Sequence, residues 1–177
     1  MAEQTITLGG GCFWCTEAVF VRVRGVLDVE SGYCNGQVPR PTYEQVCTGQ
    51  TGHVEVVRLR YEDSVIDLRS LLEIFFTVHD PTTLNRQGND VGTQYRSGIY
   101  TESDHDAVVA RDYIAALTQA GVFHAPIVTE VQPLSMYSAA EAYHQDYFEH
   151  HPHQGYCAYV VAPKVLKLEK SFSHWLR

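Results

Sequence analysis

A short strand runs into a helix over residues 4–15, which read Gln4-Thr5-Ile6-Thr7-Leu8-Gly9-Gly10-Gly11-Cys12-Phe13-Trp14-Cys15. Polar and apolar side chains alternate over residues 4–8, which is the pattern of a β-strand. The glycines that follow predict an irregular turn, because glycine adopts unusual backbone angles at little cost. A helical pattern then extends from about Phe13 to Val23. These residues therefore predict a strand-to-helix junction with Cys12 at the N-terminus of the helix.

The elements that follow this junction predict a two-layer fold. Strands are predicted at 26–33, 53–61, 95–100 and 126–131, and helices at 68–78, 103–120, 138–149 and 165–176. Asp67 and Ser103 are the predicted N-caps of the helices at 68–78 and 103–120, and Gly121 closes the latter. The order strand, helix, two strands, helix, strand is the split β-α-β pattern of a ferredoxin-like sandwich.

We therefore expect a single-domain two-layer α/β sandwich over residues 1–177. Its sheet should be mixed but mainly antiparallel, with C-terminal additions beyond the split β-α-β unit. The segment from about 150 to 177 is expected to be partly irregular. The length of 177 residues suits one domain with a sizeable core.

Composition excludes several classes of function. The formal net charge is −8 at pH 7 with neutral histidines, whereas binding of nucleic-acid phosphates needs a basic surface. No apolar run approaches the roughly 20 residues of a membrane span, and the start of the sequence lacks the basic and apolar regions of a signal peptide. We expect a cytoplasmic monomer that binds neither nucleic acid nor membrane.

Cysteine is the residue type most suggestive of chemistry in this chain. The five cysteines are Cys12, Cys15, Cys34, Cys47 and Cys157. An odd count without a secretory signal argues against a structural disulfide framework and favours reduced thiols. Cys12 would face the unpaired N–H groups and the positive end of a helix dipole, which favour the nucleophilic thiolate. The alternative for Cys12 is a buried structural cysteine.

Cys12 and Cys15 also form a C-x-x-C pair. Considered alone, this pair is typical of a thioredoxin-like dithiol–disulfide oxidoreductase. It could also be half of a zinc site in an interaction module. The only dense source of further ligands is His150-His151-Pro152-His153, which lacks a typical metal-binding spacing and is better explained as a solvated helix end. We predict no metal site.

Three other segments hold candidate functional groups. Glu55 lies in the apolar strand at 53–61, on the opposite face from Val54 and Val56, and is either solvent-facing or a buried general acid with a raised pKa. Residues 88–97 form a polar loop that is either a site or an ordinary turn. Cys157, in Gly155-Tyr156-Cys157, is predicted to be a mobile, partly exposed thiol that is either unremarkable or able to reach a first thiol.

Taken together, ordered segments along the chain resemble the A-type peptide methionine sulfoxide reductases. The matching segments are GCFW at 11–14, YEQVCTG at 43–49, GHVEVV at 52–57, HDPT at 79–82 and GNDVGTQYRS at 88–97, followed by the similar YHQDY at 143–147. The match extends from about residue 5 to residue 168. A lone C-x-x-C would be weak evidence, whereas this ordered set is highly specific.

The resemblance implies thiol-dependent reduction of methionine-S-sulfoxide, peptide-bound or free, in the repair of oxidised proteins. It implies that Cys12 is the nucleophile that attacks the sulfoxide sulfur. Glu55 would donate a proton to the sulfoxide oxygen, because that oxygen is a poor leaving group until it is protonated.

The resemblance also implies the surroundings of the substrate. Phe13 and Trp14 would form an apolar pocket for the methyl group of the S-epimer. Tyr43 and Tyr95 would hydrogen-bond the sulfoxide oxygen, and Asp90 would help to hold this network.

Regeneration of the enzyme follows from the same resemblance. The sulfenic acid left on Cys12 would condense with a second thiol to a disulfide, which external thioredoxin would reduce, so no bound cofactor is expected. Cys157 matches the common resolving cysteine of the family and is preferred. Cys15 stands where glycine frequently follows Trp14 and is the alternative. Cys47 is interpreted as structural, and Cys34 is given no role.

Overall fold

A computed structural model describes residues 3–177, and the first two residues of the predicted domain lie outside this range. The chain forms eight strands and six α-helices within the described residues. The strands are β1 (Glu3–Gly10), β2 (Val26–Cys34), β3 (Val54–Glu62), β4 (Arg86–Gln87), β5 (Asp90–Val91), β6 (Ser97–Thr101), β7 (Glu130–Pro133) and β8 (Ser138–Ala139). The helices are α1 (Phe13–Phe20), α2 (Tyr43–Cys47), α3 (Leu68–Val78), α4 (Asp104–Gln119), α5 (Tyr147–His150) and α6 (Ala162–Ser171).

Six of the strands form one sheet in the order β7-β6-β1-β3-β2-β8. Strand β3 lies antiparallel between β1 and β2, and β6 pairs antiparallel with the other side of β1. Only β7, which adds to β6, is parallel to its neighbour. The four central strands therefore have the split β-α-β arrangement, and the predicted α/β sandwich with a mainly antiparallel sheet is confirmed.

Both faces of the central sheet are covered. One face packs against α1, α3 and α6 in the main core, which includes Val57 and Leu59 of β3. The other face buries a smaller cluster of Cys34, Val54, Val56 and Tyr100 under Leu134 and Tyr137. Because side chains alternate along a strand, Glu55 lies on the helical face with Val57, as the alternation predicts. Coverage of both faces leaves this carboxyl group 1% exposed.

The predicted helix ends are confirmed where a side chain caps them. Helix α3 spans the predicted residues, and the Asp67 carboxylate accepts a hydrogen bond from the Ser70 N–H at 2.9 Å. Ser103 accepts one from the Asp106 N–H at 3.2 Å at the start of α4. Gly121, after α4, has a φ of +65°, which is the left-handed conformation that ends many helices.

The prediction of a helix at 138–149 is wrong. The segment instead forms the edge strand β8, a 3₁₀ turn at Ala142–His144 and the short helix α5. Its polar side chains bind other elements: Glu141 accepts hydrogen bonds from the Tyr33 hydroxyl and the Tyr43 N–H, and the Gln145 amide bonds both backbone groups of Ser31. These tertiary contacts outweigh the local helical pattern.

The C-terminal part is more regular than the sequence suggests. A π-helical segment at Cys157–Val161 leads directly into α6, and a 3₁₀ turn at Ser173–Trp175 follows. The helix predicted at 165–176 therefore begins earlier and ends earlier. Among residues 3–177, no helix is both long enough and apolar enough to cross a membrane.

Candidate active site

Cys12 lies at the junction where β1 ends and α1 begins. It is the N-cap residue of α1 and its side chain is 8% exposed. The preceding Gly11 has a φ of +94°, and a Cβ at this position would lie 2.7 Å from Cβ of Gln87. Only glycine permits this backbone conformation and this close approach. The thiol is therefore held between the end of β1 and the β4–β5 hairpin.

Glu55 is brought to the same place from the middle of β3. Its Oε1 accepts a hydrogen bond from the Phe13 N–H, the first residue of α1, at 3.1 Å. Its Oε2 is buried and, apart from the nearby thiol of Cys12, has no hydrogen-bonding group of the described residues beside it. Burial, with a smaller contribution from the charge of Asp90, raises the pKa of Glu55 to about 8. The carboxyl group is therefore mostly protonated at neutral pH and can act as an acid.

The thiol of Cys12 is protonated at neutral pH. Burial raises its pKa well above the ordinary value, and the neighbouring Glu55 and Cys15 raise it further. The Trp14 N–H and the Tyr156 hydroxyl lower this pKa, but less than burial raises it. The helix N-terminus lowers the pKa of Cys12, as predicted. The prediction of a thiolate is nevertheless wrong, because the cysteine is almost completely buried and burial raises its pKa more.

Phe13 and Trp14 are built into an aromatic cluster beside the thiol. Phe13 is completely buried and packs against Tyr33, Tyr43 and His144. Trp14 is partly exposed, and its Nε1–H donates a hydrogen bond to Nδ1 of His144 at 3.0 Å. One face of the indole stacks on Tyr147, with the ring centroids 3.8 Å apart.

Tyr43 and Tyr95 lie half-buried next to Glu55, each in a short helical segment. Tyr43 begins α2, whose start is fixed by a capping box between Thr42 and Gln45. Tyr95 ends a 3₁₀ turn at Thr93–Tyr95 just before β6. Burial, and then the charge of Glu55, raises the pKa of both phenols. Both hydroxyls therefore remain hydrogen-bond donors throughout the physiological pH range.

Asp90 faces Cys12 from the β4–β5 hairpin across a cleft of about 300 Å³. The residues that matter for its chemistry are Cys12, Cys15, Asp90, Tyr156, Tyr159 and Lys164; we call this the dithiol cleft. The Tyr156 hydroxyl donates a short hydrogen bond to Oδ2 of Asp90 and lies 4.0 Å from the sulfur of Cys15. The cleft thus brings together two thiols, a carboxylate, two phenols and an ammonium group.

Comparison with known proteins agrees with this arrangement. The family model of peptide methionine sulfoxide reductase matches residues 4–176. The peptide methionine sulfoxide reductase MsrA of Polynucleobacter asymbioticus is 54% identical over 169 residues, which are 96% of this chain and 89% of the relative. This chain belongs to the peptide methionine sulfoxide reductase family. It is accordingly an oxidoreductase that uses thiols to reduce methionine sulfoxide.

Solved structures of the family share the fold. Reduced Mxr1 from Saccharomyces cerevisiae superimposes with a TM-score of 0.80 at 36% identity, covering 88% of this chain and 89% of that chain. Mxr1 in complex with Trx2 superimposes with a TM-score of 0.56 at 27% identity, covering 82% of this chain and 84% of that chain. The family match favours the reductase interpretation of Cys12 and Cys15 over a separate dithiol oxidoreductase.

The remaining cysteines of this reductase lie in different surroundings. Cys157 is completely buried, and its N–H donates to the side-chain oxygen of Gln154 at 3.1 Å, so the predicted mobile, partly exposed thiol is wrong. Its place at the start of the π-helical segment explains the burial. Cys34 is buried under the far face of the sheet, whereas Cys47 is exposed next to the hydroxyl of Tyr43.

Sequence reasoning missed two groups of the dithiol cleft. Tyr156 precedes Cys157 in the Gly155-Tyr156-Cys157 segment, and a phenol beside a candidate redox thiol is the signal that could have identified it. Lys164 gave no signal, because only the packing of α6 against the end of α3 brings it to the cleft. Within residues 3–177, no group of three His, Cys, Asp or Glu side chains could hold a metal ion.

Proposed function

We propose that Cys12 reduces methionine sulfoxide by attacking its sulfur while Glu55 protonates its oxygen. The observation that carries this proposal is the buried Glu55 carboxyl group, which lies beside Cys12 and whose Oε2 is hydrogen-bonded to no other described residue. The sulfoxide loses its oxygen and is reduced by two electrons, and Cys12 is oxidised by two electrons to a sulfenic acid. A neutral acid in a dry site is suited to donate the proton.

Five further residues are proposed to bind the substrate or to orient the site. The hydroxyls of Tyr43 and Tyr95 donate hydrogen bonds to the sulfoxide oxygen and stabilise the charge that develops there. The aromatic surface of Phe13 and Trp14 receives the methyl group, which selects the S-epimer. Asp90 orients the polar groups of the site from the β4–β5 hairpin, and its hydrogen bond from Tyr156 supports this role.

A second thiol and an external reductant are proposed to regenerate Cys12. A thiol of the same chain condenses with the sulfenic acid to a disulfide. The sequence favours Cys157, and the position of Cys15 in the same cleft as Cys12 supports Cys15 as the alternative. Thioredoxin then reduces the disulfide by exchange, so no bound cofactor is needed. The complex of the related Mxr1 with Trx2 supports this partner.

The compartment and the assembly are also proposals. All five cysteines are free thiols in this structure, which suits the reducing cytoplasm. We place the enzyme there as a monomer that acts on methionine sulfoxide in peptides and proteins. Sedimentation of the purified protein would test the monomer, and a stable dimer at micromolar concentration would contradict it.

Turnover of two matched peptides tests the proposed reaction. The peptides contain either the S- or the R-epimer of methionine sulfoxide, and thioredoxin with its reductase supplies electrons. We expect the parent protein to reduce only the S-epimer and the Cys12→Ser variant to be inactive. Cys34→Ser is the control, since Cys34 lies on the far side of the sheet, and it should retain full activity. Activity in Cys12→Ser, or equal rates on both epimers, would refute the proposal.

A further inference from the structure

Cys15 shares the dithiol cleft with Cys12, whereas Cys157 does not line it. The two thiols lie three positions apart at the start of α1, with two residues between them, and the Cys15 N–H donates to the Cys12 carbonyl at 3.1 Å. Cysteines in this C-x-x-C position at a helix start can form a disulfide without moving the backbone, as in thioredoxin. Cys157 would have to leave its buried position to reach Cys12. In this conformation Cys15 is therefore the thiol poised to meet an oxidised Cys12.

Lys164 places a cation on the Cys15 side of this cleft. Its partly buried side chain extends from α6, and its Nζ donates a hydrogen bond to the Val78 carbonyl at the end of α3, at 3.0 Å. Lys164 and Cys15 also line one small void of about 10 Å³ together with Gly10 and His79. The ammonium group is thus anchored between two helices and faces the thiol, rather than extending into solvent.

We propose that Lys164 is a positioning residue that stabilises the thiolate of Cys15 while this thiolate attacks the sulfenic acid of Cys12. The inference rests on the proposed function, because it needs the sulfenic acid that the first step produces. In the step, the Cys15 sulfur bonds to the Cys12 sulfur as the Cys12 S–O bond breaks. Cys15 gives up its proton, the hydroxyl group of the sulfenic acid leaves with it as water, and a Cys12–Cys15 disulfide remains.

The other groups around Cys15 do not provide a positive charge. Asp90 and Cys157 disfavour its thiolate, and the Tyr156 hydroxyl at 4.0 Å is itself bonded to Asp90. Burial lowers the pKa of His79 to about 4, so the imidazole is uncharged at neutral pH. Burial raises the pKa of Cys15 to about 11, and Lys164 is the largest influence that opposes this rise.

A single turnover without reductant separates the two chemical steps. One equivalent of methionine sulfoxide peptide is added to parent protein, Lys164→Met and Lys164→Arg. Release of the methionine product reports the attack by Cys12, and intact mass reports disulfide formation. We expect Lys164→Met to slow disulfide formation relative to product release by about 10-fold near neutral pH. Its rate–pH profile should move up by about one pH unit, the size expected for a nearby charge.

Two further variants control for packing. Lys164→Arg keeps a cation that can reach the Val78 carbonyl and should retain most of the parent rate and pH profile. Lys167→Met removes a lysine one turn further along α6, outside the dithiol cleft, and should leave both steps unchanged. Thermal melting of each variant shows whether α6 remains docked.

Three outcomes would overturn the inference. The first is a Lys164→Met variant whose rate of disulfide formation depends on pH in the same way as that of the parent. The second is a Lys164→Arg variant as slow as Lys164→Met, since the packing rather than the charge would then matter. The third is a Cys12–Cys157 disulfide with a free Cys15 when the disulfides of the parent protein are mapped after one turnover. This experiment needs no variant. A parent protein that releases no methionine would instead refute the proposed function.

Discussion

At the scale of single residues, Glu55 carries the most testable chemistry. Its carboxyl group is protonated at neutral pH because burial raises its pKa to about 8. Glu55→Gln keeps a group of the same shape that can donate a hydrogen bond but not a proton, whereas Glu55→Ala removes the donor and leaves a cavity. We expect kcat to fall by about 100-fold or more in Glu55→Ala and by less in Glu55→Gln.

The pH dependence gives an independent check on the acid. The attack needs a protonated Glu55 and an ionised Cys12, whose pKa lies well above its ordinary value. The parent rate should therefore rise with pH and level off near pH 8, where Glu55 loses its proton, whereas in Glu55→Gln the rise should continue past pH 8. Steady-state rates from pH 6 to 9 with saturating reductant measure both effects. Equal rates in the parent, Glu55→Gln and Glu55→Ala would contradict a proton-donating role.

The placement of the site residues was predictable from the sequence, whereas their burial and protonation states were not. The alternation around Glu55 gave the correct face of β3, but its burial depends on the layers that cover both faces and is not local information. The same limit applies to Cys12, where the helix N-terminus was correctly placed and the protonation state was not. Desolvation by residues distant in sequence dominates both pKa values, and at Cys12 it outweighs the local helix dipole.

At the scale of elements, the turn between β1 and α1 is set by a single glycine. Gly11 has a φ of +94°, and a Cβ there would lie 2.7 Å from Gln87. Gly11→Ala should therefore cost about 1–2 kcal/mol for the left-handed backbone, plus the cost of displacing the β4–β5 hairpin. We expect unfolding by urea to show a larger destabilisation than in a glycine variant without this clash, together with a large loss of kcat.

Gly121 offers the matched control for that variant. Its φ is +65°, and a Cβ there would meet nothing within 4 Å, so Gly121→Ala introduces the backbone cost alone. Activity should persist in Gly121→Ala, since Gly121 lies after α4 and away from the cleft. If both variants lose the same stability and Gly11→Ala stays active, the close packing of Gly11 on Gln87 does not position Cys12.

Element types were predictable wherever local signals and tertiary packing agree. Helix α3 and the capped starts of α3 and α4 follow from amphipathic spacing and from Asp67 and Ser103. The segment at 138–149 could not be predicted in this way, because Glu141 and Gln145 bind residues of β2 and α2. A helical pattern of side chains carries no information about such distant partners.

At the scale of the whole molecule, buried carboxyl groups make stability depend on pH. Burial raises the pKa of Glu55 to about 8 and that of Glu17, which is 2% exposed on α1, to about 7, from ordinary values of 4.5. The folded state therefore holds protons that the unfolded state has released between pH 4.5 and these values. Stability contributed by these protonated groups is complete below about pH 4.5 and is lost as the pH rises through 7 and 8.

Two buried histidines, His79 and His144, oppose this trend at lower pH, which fixes the window for the measurement. The pKa of His79 is lowered to about 4 by burial, so below its ordinary value of 6.5 the unfolded state takes up the extra proton and stability falls with acidification. Burial also lowers the pKa of His144. Between pH 6.5 and 8 both folded imidazoles are neutral and the unfolded ones lose most of their remaining charge, so the two carboxyl groups dominate the change. The free energy of unfolding should therefore fall by about 2 kcal/mol across this window.

Urea unfolding of the parent and of Glu17→Gln/Glu55→Gln at pH 6.5 and pH 8 tests this expectation. The amides cannot ionise, so the double variant should lose clearly less stability over the window than the parent, whatever its stability at pH 6.5. A parent curve that is flat over the window, or a double variant as steep as the parent, would contradict the assignment. The comparison of slopes matters because any packing defect in the variant shifts both of its values equally and leaves the pH dependence intact.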